Sequence, residues 1–338
     1  MARMTLTLKL VTPLIMAGAY NGAYRDPHPA RPEIRAASIR GVLRYWLRAV
    51  YGAAYGKNID ALREAETRIF GSTERGSGIM VRVEHQLTPD TGKTHFVLPE
   101  QVDSRNGKID YKFPGFKQSG TIDLHLIAHP LRRDVFSPAL ISALLLAFTI
   151  GGFGKRARRG GGAMQVIGVE APDMPSGILD MLRALEITDG KAPATVLQDK
   201  IFPYITQAIA DLPQPRPYDA RAVPAYPVFA EDHCRVFIGT TGNNGYRDAL
   251  KQIWNLTTAY HRVSGKWAWG YAIQKSRRAS ALHMRVYQCA DKRYYPVATF
   301  FRGGSQDEKW DRVQEVIGLF EKEGSSFIRV FGNQKQWT

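Results

Sequence analysis

Residues 4–12, MTLTLKLVT, alternate apolar and polar positions with a period of two, the pattern of a strand with one buried face. A helical period follows. With Ser38 as its N-cap, Ile39, Val42, Leu43, Trp46, Leu47 and Val50 fall on one face. Period two returns at 78–84 (GIMVRVE) and 121–127 (TIDLHLI). SPALISALLLAF then predicts a helix capped by Ser137 with Pro138 in its first turn and stopped at Gly151 and Gly152. MQVIGVE, 164–170, adds a strand. The order strand, helix, strand, strand, helix, strand is that of a ferredoxin-like unit, in which two helices cover one face of a four-stranded antiparallel sheet.

Residues 171–230 break this rhythm with short helical pieces, MPSGILDMLRALEI and FPYITQAIADL, and a Pro-rich run from Pro213 to Pro227. The order then repeats: strand at 233–239, helix at 246–263, strands at 281–289 and 294–301, a helix at 305–320 with Ser305 and Glu308 as a capping box, and a strand at 325–332. The expected fold class is α+β, two ferredoxin-like (RRM-like) βαββαβ domains in tandem with insertions. The expected boundaries are 1–170, a helical and Pro-rich connector at 171–230, and 231–338.

Charge changes the picture. Lys and Arg number 46 against 31 Asp and Glu, a formal +15, so part of the surface carries a field that attracts a polyanion. Cys234 and Cys289 are too few for a disulfide scaffold and lack zinc-ligand spacing. The first residues lack a signal-peptide pattern, and the longest apolar run, 139–150, is shorter than a membrane span. The expectation is a cytoplasmic protein with no membrane partner, no metal and no cofactor.

Four stretches gather the charge. Arg40, Arg44 and Arg48 recur every four residues on the first helix with no acidic residue four away, a cationic ridge that an anion would relieve. GGFGKRARRGG, 151–161, sets Lys155, Arg156, Arg158 and Arg159 among five glycines, whose exposed amides are expected to let the backbone follow a phosphate chain. It is neither a P-loop nor GxGxxG. The connection 12–41 interleaves Tyr20, Tyr24, Arg25, His28, Arg31 and Arg35. Lys266, Trp267, Trp269, Lys275, Arg277 and Arg278 repeat the mixture of rings and cations used for single-stranded nucleic acid. No strand carries the RNP aromatic signature.

TPLIMAGA (12–19), IRAASIRGVLRYWLRAVYG (34–52), GGFGKRARRGGG (151–162) and RRASALHMRV (277–286), in that order, resemble the RAMP superfamily of CRISPR-associated proteins. Within it the resemblance is to the first-subunit family of type III-B (Cmr) effector complexes. It implies a subunit near the 3′ end of a CRISPR RNA, beside other RAMP subunits, that holds guide or target single-stranded RNA and is not the nuclease. By motif, the RNA contacts are Arg40, Arg44, Arg48, Lys155, Arg156, Arg158 and Arg159. Tyr24, Arg25, Arg31, Arg35, Lys266, Arg277 and Arg278 are further candidates, and His283 is a structural histidine. Two alternatives stand beside this. One is a metal-dependent endoribonuclease using Asp26, with Glu33 as a second carboxylate. The other is a purely structural assembly subunit with Trp46, Phe153 or Trp254 at its contacts. A catalytic histidine pair, His28 with His261, lacks any feature that brings the two rings together.

Overall fold

The computed structural model describes residues 2–17, 32–94, 113–186, 193–213, 216–219, 221–263, 271–273, 276–278, 280–303 and 310–337. The alternating residues of β1 (Arg3–Leu10) send Met4, Leu6, Leu8 and Leu10 inward. α1 (Ala36–Tyr55) and α2 (Ile59–Phe70) follow, then β2 (Ile79–His85), a ribbon of β3 (Pro89–Thr94) with β4 (Phe113–Phe116), and β5 (Thr121–Ala128). α3 (Pro138–Thr149) and β6 (Met164–Glu170) complete the first sheet, whose order is β2-β5-β1-β6 with every pairing antiparallel. Its outer face is polar. Thr5 Oγ1 lies 3.0 Å from His125 Nδ1, and the Thr7 hydroxyl donates to Asp123 at 2.8 Å.

The connector is folded rather than loose. α4 (Ser176–Arg183) is followed by α5 (Pro193–Val196), a π-helical turn at Leu197–Ile201 and α6 (Phe202–Ala210). The second sheet is built from β7 (Cys234–Gly239), α7 (Tyr246–Val263), the small ribbon β8 (Tyr271–Ile273) and β9 (Ser276–Arg278), β10 (Leu282–Gln288), β11 (Tyr294–Phe301), α8 (Trp310–Glu321) and β12 (Phe327–Phe331). Its order, β10-β11-β7-β12, again antiparallel, repeats the second-third-first-fourth sequence of the first sheet.

The two sheets differ in what covers them. On β7, Val236 and Ile238 join the core that holds Trp46, Phe148 and Phe202, whereas Phe237 points into a second core with Leu250, Ile253, Val316 and Phe320. The second sheet is therefore buried on both faces, between its own α7 and α8 and the helices of the first unit. That is why CRVFIG is buried at every position, Arg235 included, instead of alternating. Among the described residues no helix is long and apolar enough to cross a membrane.

Ser137 caps α3 as the sequence suggests, its hydroxyl accepting from the Leu140 amide at 3.4 Å. Three readings need correction. α1 starts two residues before Ser38, with extended Arg35 at the N-cap and no side-chain cap. α2 was not anticipated, because its buried positions Leu62, Glu66, Ile69 and Phe70 include a carboxylate that masks the apolar stripe. Trp46 and Phe153 are core residues, 2% and 0% exposed, so neither is a subunit contact. The Ser305–Glu308 capping box lies outside the described residues.

Candidate nucleic-acid interface

The ridge on α1 does have an acidic partner, supplied by the helix that local spacing did not reveal. Glu66 of α2, 9% exposed, accepts from Nε and, at 2.9 Å, Nη2 of Arg48, and lies 3.7 Å from Nε of Arg44. Arg44 also donates to the carbonyls of Phe70 (2.8 Å) and Gly71 (2.7 Å), where α2 ends, and its guanidinium sits 5.7 Å from the Phe70 ring centre. Cations at a helix C-terminus offset the exposed carbonyl ends. Arg44 and Arg48 thus staple α2 to α1, and two charges against one leave a net +1 there. Arg40, half-buried, makes no ion pair among the described residues, and its Nε has no hydrogen-bond partner among them.

The glycine-rich loop is packed, not open. Several of its amides are taken by nearby carbonyls: Lys155 donates to Ile15 (2.8 Å), Gly162 to Pro13 (2.9 Å), Phe153 to Gly162 (3.0 Å) and Gly161 to Arg156 (3.1 Å). The Thr12 hydroxyl accepts from the Ala163 amide at 2.9 Å and donates to the Gly160 carbonyl at 2.7 Å. Gly160 has φ +84°, and a Cβ there would stand 2.5 Å from Cδ2 of Leu250 on α7. Gly160 therefore lets the loop wedge against the second unit, a packing role for a glycine expected from the sequence to expose its amide. Arg158 accepts from the Met284 amide at 3.0 Å, so the loop also borders the edge strand β10.

Four cations leave this frame in different directions. Arg158 turns inward, donating to the Ser280 carbonyl at 3.1 Å and lying 5.5 Å from the ring centre of Tyr45 on α1. Burial pushes the Tyr45 hydroxyl up to about 12. Lys155 is exposed; Arg156 and Arg159 are half-buried. Burial lowers all three from their usual values, and the neighbouring Arg156 charge lowers Arg159 further. Arg159 lies over the Trp254 ring of α7 at 6.0 Å and makes no ion pair with a carboxylate among the described residues.

Beside the loop, β10 carries two residues that join the units. Arg285, fully buried, donates to the carbonyls of Ala147 (3.5 Å), Phe148 (2.5 Å), Gly151 and Met164, closing the C-terminal end of α3 from the other sheet. Its guanidinium is pushed down to about 10 by burial. His283, 5% exposed, stacks on Tyr45 and packs edge-on against Trp46 and Phe301. Burial, then the Arg158 charge, holds its imidazole well below its ordinary value. His283 is thus packed into the core where the units meet, in keeping with its place inside a strand. Arg285 was missed: it lies in the quoted motif, but an arginine inside an apolar strand gives no local sign of the helix end it closes.

Tyr24, Arg25, Asp26, His28, Arg31 and Lys266 lie outside the described residues, as do the side chains of His261, Arg277 and Arg278. Arg35 is exposed at the start of α1, and Glu33 is exposed, its amide donating to the Met16 carbonyl at 3.0 Å. Among the described residues no three His, Cys, Asp or Glu side chains gather as metal ligands.

A family model described as RAMP superfamily matches residues 7–165, from β1 through the glycine-rich loop into β6. The CRISPR system Cmr subunit Cmr1-2 of Pyrococcus furiosus is 34% identical over 183 residues, which cover 47% of this chain and 92% of that protein. Two solved structures share the fold. The crystal structure of apo Cmr1 from Pyrococcus furiosus has a TM-score of 0.66 and 18% identity, over 98% of this chain and 99% of that one. A chain of the type III-B Cmr-beta complex bound to cognate target RNA has a TM-score of 0.62 and 13% identity, over 92% and 98%. This chain belongs to the RAMP superfamily, on its Cmr1-like branch.

Proposed function

We propose that the chain is a non-catalytic RNA-binding subunit of a type III-B Cmr effector complex, acting in the cytoplasm near the 3′ end of the CRISPR RNA beside other RAMP subunits. In this reading it consists of two ferredoxin-like units, 1–170 and 231–338, with 171–230 strapped across them. The observation that carries the RNA assignment is Arg159: a half-buried guanidinium beside Arg156, held by no carboxylate among the described residues, on a loop made rigid by its neighbours. A fixed cation that is partly desolvated and lacks a counter-charge gains most from an anion, and arginine grips phosphate bidentately.

Arg40, Lys155, Arg156 and Arg159 make the phosphate contacts in this account, while Arg44, Arg48 and Arg158 hold the scaffold that presents them. Tyr24, Arg25, Arg31 and Arg35, before α1, and Lys266, Arg277 and Arg278, after α7, extend the same interface. Contacts of this kind position a guide or target strand and leave sequence discrimination to base pairing. The face on which an RRM-type sheet would stack bases is closed in the second unit, being packed on the helices of the first, which favours loops and helix faces as the RNA path.

The test is to incubate the purified chain with a labelled single-stranded RNA of about 40 nucleotides, with and without Mg²⁺. Retention of intact RNA is the expected result, and absence of binding contradicts the reading. Cleavage by the natural chain that disappears in Asp26→Ala would instead establish the nuclease alternative.

A further inference from the structure

We infer that the cleft where the end of β6 meets α4 is a ribonucleotide site, taking one phosphate-bearing nucleotide either free or as the end of an RNA strand. Its cavity is about 350 Å³, within the ligand-sized range of roughly 300–1,000 Å³. The start of β1 and the end of β6, which pair Thr5 with Glu170, form its floor. The glycine-rich loop precedes the other end of β6, about 20 Å away along the strand, so the cleft is separate from the interface described above.

Arg3 of β1, Glu170 of β6 and Arg183 of α4 line this cavity; all are exposed, and none makes an ion pair or a side-chain hydrogen bond among the described residues. Opposite charges that share a small cavity and stay apart leave room for a ligand that brings an anion to the arginines and hydrogen-bond donors to the carboxylate. Val169, Pro172 and Leu179 add an apolar wall. A ribonucleotide matches each feature. Its phosphate takes the guanidinium groups, which grip it bidentately, its ribose hydroxyls or an exocyclic amino group donate to Glu170, and its base lies on the apolar wall. Inorganic phosphate would be repelled by Glu170 and would leave the wall bare, and an acidic side chain shares the first defect.

The test is calorimetric titration of the natural chain with AMP, adenosine and inorganic phosphate. Saturable binding of AMP is expected, with adenosine and phosphate each weaker by about tenfold or more. Arg3→Ala and Arg183→Ala, both at exposed positions, should each weaken AMP about tenfold. Glu170→Ala should weaken AMP but strengthen inorganic phosphate, opposite signs that a general change in surface charge would not give. Lys155/Arg156/Arg159→Ala should bind AMP as the natural chain does. Competition by a short RNA separates the two sources. Displacement of AMP by a 5′-phosphorylated strand but not by its 5′-hydroxyl counterpart assigns the site to a strand end, and displacement by neither assigns it to a free nucleotide. The inference fails if the natural chain does not bind AMP, if Arg3→Ala and Arg183→Ala bind it unchanged, or if the loop variant or a 5′-hydroxyl strand abolishes binding. The RNA-binding reading does not depend on this cleft and stands or falls on its own test.

Discussion

Arg285 of β10 donates to the carbonyl of Gly151, just past the end of α3, so a side chain of the second sheet closes a helix of the first. The hydrogen bonds to Ala147, Phe148 and Met164 complete its set of carbonyl acceptors. The basic loop begins at that same glycine, so the position of the loop's cations depends on contact between the units.

Replacing Arg285 with leucine should therefore destabilise the whole chain. Buried carbonyls left without donors cost roughly 1–3 kcal/mol each, partly offset because a buried guanidinium is itself costly to desolvate. We expect a net loss of about 3 kcal/mol in urea unfolding, with Arg285→Lys intermediate. An unchanged midpoint for Arg285→Leu would show that the units do not rely on this contact.

Glu66→Ala should separate scaffold from interface. It removes the carboxylate shared by Arg44 and Arg48 and should cost about 2 kcal/mol of stability. RNA affinity, measured below the unfolding transition, should not fall. A loss of affinity with stability intact would return the α1 ridge to the RNA site.

Glycine substitutions should discriminate wedge from open loop. Gly160→Ala combines φ +84° with a Cβ 2.5 Å from Leu250, and we expect a cost of about 2 kcal/mol. A Cβ on Gly41 in α1 would meet nothing within 4 Å, and Gly41→Ala should stabilise by about 0.5–1 kcal/mol. Thermal unfolding of the two variants reads both signs.

Acid should destabilise the chain in a defined window. His233, 1% exposed, has its imidazole pushed down to about 4, first by burial and then by the charge of Arg302. The unfolded chain takes up this proton below about pH 6.5 and the folded chain only near 4. The contribution is therefore complete above 6.5 and is lost as pH falls through the window, on the order of 3 kcal/mol. His283, also held low, acts in the same direction. His233→Gln should flatten the stability profile between pH 4 and 6.5; an unchanged slope would contradict the assignment.

The two βαββαβ runs and the Ser137 cap were legible because they depend on local periodicity and short-range chemistry. The double burial of the second sheet left a partial trace, in the consecutive apolar residues Val236, Phe237 and Ile238. What could not be read was each contact between distant segments. Glu66 lies 18 residues from Arg48 on a helix whose stripe it interrupts, and the space around Gly160 is set by Leu250, ninety residues later. The loop's charge was visible in the sequence, but the reason for its glycines was not, since a glycine that frees an amide and one that admits a neighbour look the same in a string of residues.

The central claim is that the loop wedged between the units, and not the Arg44–Arg48 part of the α1 ridge, carries most of the phosphate contacts. The salt dependence of single-stranded RNA affinity tests it most directly, comparing the natural chain with Lys155/Arg156/Arg159→Ala and with Arg44/Arg48→Ala. Each phosphate contact contributes roughly 0.7 to the slope of log affinity against log salt for single strands. The loop variant should bind more weakly with a slope shallower by about 2, and the ridge variant should keep the natural slope. A ridge variant that loses slope while the loop variant keeps it would contradict the account.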